Sequence, residues 1–147
     1  MKWQQFSIPM ENRRERLSEL TAALGDHGIQ LAALSLVDSI DFGELRMLVS
    51  DVRATRNLLM QRQIPARVDE VVAVAVDDGA AELSRLIALL GANGIRVEYS
   101  YACGPQGSAK NIQVFRFNDN DAAIELMAGA GIMMLSPSVS DPGLAVC

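Results

Sequence analysis

The spacing of hydrophobic residues switches several times along the chain between the two-residue period of a strand and the longer period of a helix. Phe6 and Ile8 share one face of a first strand, with Gln5 and Ser7 on the other face. The first half is predicted to contain a strand at 3–9, a helix that ends near 25–28, strands at 29–37 and 44–49, a helix at 54–62 and a strand from 67. This order, β-α-β-β-α-β, is that of a split β-α-β unit.

The second half of the chain repeats the pattern of the first. The segment 16–29 recurs as 82–95, so that Leu17 corresponds to Leu83. The second set of elements is predicted as a strand at 71–76, a helix at 80–90, strands at 95–103 and 111–117, a helix at 121–128 and a strand at 132–135. A shared order of elements together with a shared helix sequence indicates a duplicated unit.

These elements predict an α+β fold of two ferredoxin-like βαββαβ units, with domain 1 at 1–69 and domain 2 at 70–147. Each unit has an antiparallel sheet with its helices on one side, and we expect the units to be packed side by side. The strand at 29–37 is apolar on both faces, as strands covered on both faces usually are. Since helices can cover one face only, the other is expected to meet a second sheet, another chain or a ligand.

The composition argues against several classes of partner and chemistry. The 147 residues include 13 Lys and Arg against 18 Asp and Glu, a net charge of −5, whereas nucleic acids and anionic membranes attract basic surfaces. One histidine and two cysteines offer no metal-ligand spacing, and no nucleophile stands with a base, so we expect no metal, no cofactor and no catalytic residue. No apolar run suits a membrane span or a signal peptide, so a cytoplasmic protein is expected.

The helix through Leu17, Leu20 and Leu24, its Gly-x-x-Gly-Ile turn into the next strand and the run 33–49 together resemble an ACT domain. The pair of such units is similar to the stand-alone tandem ACT proteins of bacteria, and the resemblance extends from 4 to 136. It implies a regulatory module that binds an amino acid as an allosteric effector. In this family the effector lies where the first strand–helix loop meets the start of the second strand, often across an interface between two ACT units.

The resemblance implies the same kind of ligand-binding site in both units. In the first unit the implied residues are Glu11, Asn12, Arg13, Arg14, Glu15 and Arg16 in the loop, with Gly28, Ile29 and Gln30 at the strand start. In the second unit they are Asp77, Asp78, Gly79 and Ala80 in the loop, with Gly94, Ile95 and Arg96 at the strand start. The Pro-Gly pair that is usual in the family's loop is replaced by Arg14-Glu15 in the first unit and by Ala80-Ala81 in the second.

Charge also favours an amino-acid ligand at these loops. Arg13, Arg14 and Arg16 stand at a helix N-terminus, where backbone N–H groups favour a carboxylate and arginine can bind it with two hydrogen bonds. Glu11 or Asp78 could accept hydrogen bonds from the amino group. Since the first loop carries the arginines and the second the aspartates, we expect the anionic group at the first loop. The other interpretation is a solvated helix start with an N-cap at residue 12, which needs no ligand.

Two functions of different classes are consistent with the sequence. The first is a non-catalytic sensor of a small molecule, above all a free amino acid, that acts through a homodimer or a partner metabolic enzyme. The alternative is an interaction or assembly module with degenerate ligand sites, which the loss of the loop glycines favours because glycine lets a ligand approach the backbone. Neither function is expected to involve nucleic acid or a membrane.

Overall fold

The structure is a computed structural model that describes residues 2–11, 13–38, 43–77, 80–103 and 111–137. Within these ranges the elements follow in the order β1 (Lys2–Pro9), α1 (Arg13–Asp26), β2 (Leu31–Asp38), β3 (Gly43–Val49), α2 (Val52–Gln61), β4 (Arg67–Val76), α3 (Ala80–Ala92), β5 (Val97–Cys103), β6 (Asn111–Phe117), α4 (Asn120–Gly129) and β7 (Met134–Leu135). The predicted α+β class and the predicted order of elements are confirmed. Among the helices in these ranges, none combines the length and the hydrophobicity needed to cross a membrane.

The chain divides into two compact units, and the division falls within β4. The first unit comprises Gln4–Asp69, and the second comprises Lys2 and Trp3 together with the described residues from Glu70 onward. A compact unit is not by itself an independently folding domain. The domain ranges 1–69 and 70–147 therefore stay a prediction, as does the side-by-side packing.

Each unit contains an antiparallel sheet in the ferredoxin-like order. The strands of the first unit lie in the order β2-β3-β1-β4, and those of the second in the order β5-β6-β4-β7. β1 and β2 both run antiparallel to β3, and β4 and β5 both run antiparallel to β6. The strand before the first helix of each unit is therefore parallel to the strand that follows it.

The helices of each unit cover one face of its sheet, as predicted. In the first unit Leu24 of α1 and Leu58 of α2 are buried in one cluster with Phe6 of β1. In the second unit Leu90 of α3 lies in the corresponding cluster with Phe115 of β6. Burying an aliphatic or aromatic side chain of this size contributes about 1.5–3 kcal/mol, so these two clusters hold the helices on their sheets.

The helices α1 and α3 end in the same way, at the repeated Gly-x-x-Gly-Ile sequence. Gly28 and Gly94 have φ angles of +66° and +74°, which glycine adopts without strain. In α1 the N–H of Gly28 donates to the carbonyl of Gly25, and the N–H of Ile29 to that of Leu24, both at 3.0 Å. The end of α3 contains both bonds at the corresponding residues. This pair of bonds is the Schellman motif, which satisfies the last carbonyls of a helix and turns the chain into the next strand.

The first two described residues belong to the second unit through their side chains. The indole Nε1 of the buried Trp3 donates to the carbonyl oxygen of Leu135 at 2.8 Å. The Nζ of Lys2 lies 2.9 Å from the Glu70 carboxylate and 3.0 Å from that of Asp121. These contacts tie the start of the chain to β4, α4 and β7.

The strand that is apolar on both faces is only partly covered. Ala33 is buried, whereas Leu34 is 45% exposed, Leu36 42% and Val37 37%. Leu34 pairs with the buried Met47 and so faces the helix side, but β2 is the outermost strand of this unit's sheet. The expected cover on both faces is therefore incomplete over the second half of β2.

Candidate ligand-binding site

The first predicted loop leads into an exposed helix start. Glu11 and Glu15 are exposed and Arg16 is half-buried. Their side chains make no hydrogen bond or ion pair with any residue that the structure describes. Asn12 lies outside the described residues, and so do the side chains of Arg13 and Arg14. Glu11, Glu15 and Arg16 are thus available to a ligand, as both the binding and the solvated-helix interpretations require.

In the second predicted loop, a backbone N–H group before the helix is already bonded to a side chain of that helix. The backbone N–H of Asp77 donates to the carboxylate of Glu82 at 2.5 Å, and both Asp77 and Ala80 are exposed. Asp78 and Gly79 lie outside the described residues. Glu82 was not among the predicted site residues, although a glutamate at the third position of a helix is a known capping signal. Its carboxylate places negative charge beside this loop, which makes the loop less suited to an anion.

The starts of the second strands are held by hydrogen bonds from a neighbouring turn. Ser50 Oγ accepts from the N–H of Gln30 at 2.9 Å, and Asn118 Oδ1 accepts from the N–H of Arg96 at 2.7 Å. Ile95 is buried, and its packing holds the backbone before and after it in place. Ser50 and Asn118 were not predicted. Each stands directly before the aspartate that caps the following helix, and the repeat of this pair is the sequence signal for them.

Within one unit, the two halves of the predicted site lie at opposite ends of the sheet. β1 and β2 are parallel, and their common register with β3 places Pro9 level with Val37. Glu11 and the start of α1 therefore lie at the end where β2 finishes, whereas residues 28–30 precede its start. The 14 residues of α1 separate them by about 20 Å at the usual helical rise. The second unit has the same order and separates Asp77 and the start of α3 from 94–96 in the same way.

A groove of about 570 Å³ lies beside the strand start of the second unit, between α3 and the outermost strand β5; we call it the α3–β5 groove. It is lined by Leu83, Ile87 and Gly91 of α3, by Gly94, Ile95, Arg96, Val97 and Ser100, and by Gln113 and Phe115 of β6. Three predicted site residues are therefore brought together here with a cavity that the sequence did not reveal.

Among the residues that the structure describes, Arg96 is the one cation that lines this groove. Its backbone is fixed by Asn118, but its guanidinium makes no hydrogen bond or ion pair with any residue in the described part of the chain. The corresponding position of the first unit is occupied by the neutral Gln30. The two strand starts thus make the same kind of backbone hydrogen bond but differ in the charge of the side chain at this position.

A buried ionic cluster occupies the other face of the first unit's sheet. The side chains of Glu44 and Asp69 are 4% and 6% exposed, and Arg67 Nη2 lies 2.7 Å from Glu44 Oε1 and 2.9 Å from Asp69 Oδ2. Ser7 Oγ also donates to Asp69, at 2.8 Å. The hydrogen bond to Asp69 raises the pKa of the Arg67 guanidinium above its ordinary value. Across the described ranges, no three His, Cys, Asp or Glu side chains are grouped so that they could hold a metal ion.

Comparison with known protein families gives one match, the ACT domain pair, over residues 1–136. A comparison with curated proteins gives no match. The matched range includes every predicted site residue of both units.

Solved structures of the same fold extend the match. A crystal structure of a protein from Bacteroides thetaiotaomicron has a TM-score of 0.87 and 29% sequence identity, and the similarity covers 95% of each chain. The ligand-free regulatory subunit of aspartate kinase from Thermus thermophilus has a TM-score of 0.54 and 13% identity, over 88% of this chain and 92% of that one. At 13% identity, the second similarity shows the fold alone.

Proposed function

Since the chain belongs to the ACT domain pair family, we propose that it is a non-catalytic regulatory module whose effector is a free amino acid. Family membership establishes a ligand-sensing regulatory role, and ACT domains bind small-molecule effectors such as amino acids. The shared fold with a protein named as the regulatory subunit of aspartate kinase supports regulation. The identity of the effector as an amino acid is the part that we add.

The observation that supports this proposal is the strand start of the second unit. Gly94 turns the chain with a φ of +74°, a Cβ added to it would meet nothing within 4 Å, and Arg96 offers a guanidinium that no described residue neutralises. Arginine binds a carboxylate through charge-assisted hydrogen bonds. A free amino acid brings that carboxylate, and the adjoining groove leaves room for the rest of the molecule.

The loops complete the proposed site from a second copy of the chain. Because the loop and the strand start of one unit lie at opposite ends of its sheet, a single unit cannot place both around one amino acid. We therefore assign the loop residues 11–16 or 77–80 of a second copy to the same ligand as the strand start at 94–96 or 28–30. Glu11 would accept hydrogen bonds from the amino group of the ligand, and Arg14 would contribute to binding of the ligand's carboxylate.

A thermal-shift experiment tests the proposed function. Each of the twenty amino acids is added to the full chain, and we expect at least one to raise the melting temperature, because a ligand that binds only the folded state stabilises it by about 2.7 kcal/mol at one hundred times its Kd. Arg14→Ala is expected to weaken that binding by about 1–3 kcal/mol in calorimetry. Arg53→Ala, at an exposed position on α2, is the matched control. The proposal is wrong if none of the twenty shifts the melting temperature.

Assembly without a ligand is the second candidate, and the exposed part of β2 favours it. Leu34 and Leu36 are large apolar side chains, 45% and 42% exposed on an outermost strand, which is the kind of strand that pairs with another chain. The occupant that fits is β2 of a second copy, since the same apolar side chains would then meet each other. We expect the double variant Leu34→Asp, Leu36→Asp to sediment as a smaller species than the unmodified chain.

The matched control for assembly is Met60→Asp on α2, because Met60 is 71% exposed but does not lie on a sheet edge. It should sediment like the unmodified chain. If the double variant and the unmodified chain sediment alike, β2 is not an assembly surface.

A further inference from the structure

We infer that the α3–β5 groove holds the side chain of the effector, so that the effector is an amino acid with a large apolar side chain. The inference rests on the proposed function, because it takes for granted that an amino acid binds at 94–96. It adds the chemical class of the ligand, which the family match does not give.

The walls of the groove are chiefly apolar. Leu83 and Ile87 lie four residues apart on α3 and so share the face that lines the groove. Val97 and the buried Phe115 supply the apolar surface of the sheet. Ile87 is 45% exposed within the chain, so an apolar ligand would remove part of its side chain from water. Removal of apolar surface from water is favourable and would stabilise the complex.

The hydroxyl group in the wall is already satisfied by the chain. Ser100 Oγ donates to the carbonyl oxygen of Val114 at 3.0 Å and accepts from Gln113 Nε2 at 2.6 Å. Ser100 therefore has no hydrogen left to donate to a small polar side chain of the ligand. An acidic side chain would compete with its own α-carboxylate for the guanidinium of Arg96. The groove thus discriminates in favour of an apolar side chain.

The first unit lacks this combination at the corresponding positions. Thr21 stands where the second unit has Ile87, and its hydroxyl donates to the carbonyl oxygen of Leu17 at 2.9 Å. Leu34 stands where the second unit has Ser100, since each follows the same irregularity in strand register. The larger leucine occupies space that Ser100 leaves open. We therefore expect one apolar-ligand site per chain, in the second unit.

Gly91 allows the groove to be filled without disturbing the fold. It lines the groove, lies within α3, and a Cβ atom added to it meets no atom within 4 Å. Leucine also has a higher helix propensity than glycine. Gly91→Leu should therefore fold and place its side chain in the groove. The matched control is Gly25→Leu, at the corresponding position of α1, where an added Cβ also meets nothing within 4 Å.

The experiment is calorimetry on the full chain with phenylalanine, leucine, serine and aspartate. We expect phenylalanine or leucine to bind at least about tenfold more tightly than serine or aspartate, a difference of about 1.4 kcal/mol. Gly91→Leu should weaken that binding by at least about tenfold, and Gly25→Leu should change it by less than about twofold. Arg96→Gln, which introduces the residue of the first unit, should also weaken it about tenfold. Circular dichroism checks that each variant is folded.

The possible outcomes distinguish a wrong assignment of the groove from a wrong proposed function. If serine or aspartate binds more tightly than phenylalanine and leucine, or if Gly91→Leu binds as well as the unmodified chain, the groove does not hold the side chain, and amino-acid sensing still stands. If Gly91→Leu fails to fold, the preference of the unmodified chain decides, and binding of serine or aspartate as tight as that of phenylalanine and leucine overturns the inference. If none of the twenty amino acids binds, the proposed function is wrong and the inference is wrong with it.

Discussion

Replacing Arg67 by alanine is expected to lower the free energy of unfolding by about 3 kcal/mol. The substitution leaves the carboxylate of Asp69, which is 6% exposed, without its cation, whereas Glu44, which is 4% exposed, keeps an ion pair with Arg46 at 2.9 Å. Removing one member of a buried ion pair costs about 3–5 kcal/mol, and we expect the lower value because the Arg67 side chain is 57% exposed and partly screened by water. Urea unfolding followed by circular dichroism measures the change.

The pH dependence of this contribution follows from the direction of the pKa shift. Hydrogen bonding to Asp69 raises the pKa of Arg67 above its ordinary value, so the guanidinium stabilises the folded chain at every pH below that ordinary value and loses this role only as pH rises through the folded-state pKa. The cost of Arg67→Ala should therefore be the same at about pH 7 and at about pH 9, since arginine stays charged throughout this range.

Two controls distinguish the loss of stability caused by disrupting the ionic cluster from the general effect of losing an arginine. Arg53→Ala, at an exposed position of α2 in the same unit, should change the stability by no more than about 0.5 kcal/mol. Combining Arg67→Met with Asp69→Asn should recover part of the loss, because the uncompensated carboxylate of Asp69 is then removed while Glu44 keeps its ion pair with Arg46. If Arg67→Ala is as stable as Arg53→Ala, the cluster does not contribute to stability.

Valine at either helix-ending glycine is expected to lower the free energy of unfolding by about 2 kcal/mol. Gly28 and Gly94 have φ angles of +66° and +74°, where a side chain with a branched Cβ clashes with its own backbone. A Cβ added at either position meets no other residue within 4 Å, so the cost is one of backbone conformation and not of packing. Thermal and urea unfolding of Gly28→Val and Gly94→Val measure it.

Alanine at the preceding helical glycines is the matched comparison. Gly25 and Gly91 lie within α1 and α3 and have equally open surroundings, so alanine there should stabilise the chain by about 0.5–1 kcal/mol. The opposite signs expected for glycines three residues apart isolate the effect of positive φ. Equal effects at both kinds of position would show that the Schellman endings are not under the constraint that we describe.

The duplicated architecture could be predicted from the sequence because its signals are local. The Gly-x-x-Gly-Ile turn and the leucine before it contain all the groups of the Schellman ending, and Asp51 and Asp119 cap their helices through bonds to Ala54 and Ala122, three residues later. Such signals need no knowledge of distant parts of the chain. The order of elements was therefore correct, and the helices end within two residues of their predicted ends.

The ionic cluster could not be predicted for the opposite reason. The alternation in the first strand placed Gln5 and Ser7 on a polar face, yet both are fully buried. Ser7 bonds to Asp69, which lies far away along the chain and is adjacent only once β1 and β4 are neighbours in the sheet. A polar residue in an alternating pattern can be solvated or paired, and the pattern alone does not distinguish the two.

The candidate site was predicted as two sequence segments in each unit, which stay a prediction and lie far apart within a unit. Loop 11–16 and turn 28–30 are close along the chain, but the intervening α1 spans the sheet and separates them. The groove depends on Ser100 being smaller than Leu34 at the same register position, which becomes visible only when the strands are aligned across the sheet. Arg96 was predicted as a site residue from its position after the Gly94 turn. That its guanidinium has no partner among the described residues is seen only in the structure.

The position of the single tryptophan gives the molecule an intrinsic optical reporter. Trp3 is the only tryptophan in the chain, it is buried, and its indole N–H is bonded to Leu135 in the unit that contains the groove. Indole emission shifts when the ring moves from an apolar site to water. Fluorescence excited at the tryptophan band therefore follows the integrity of the second unit in unlabelled protein, while the first unit's own core contributes no emitter of this kind.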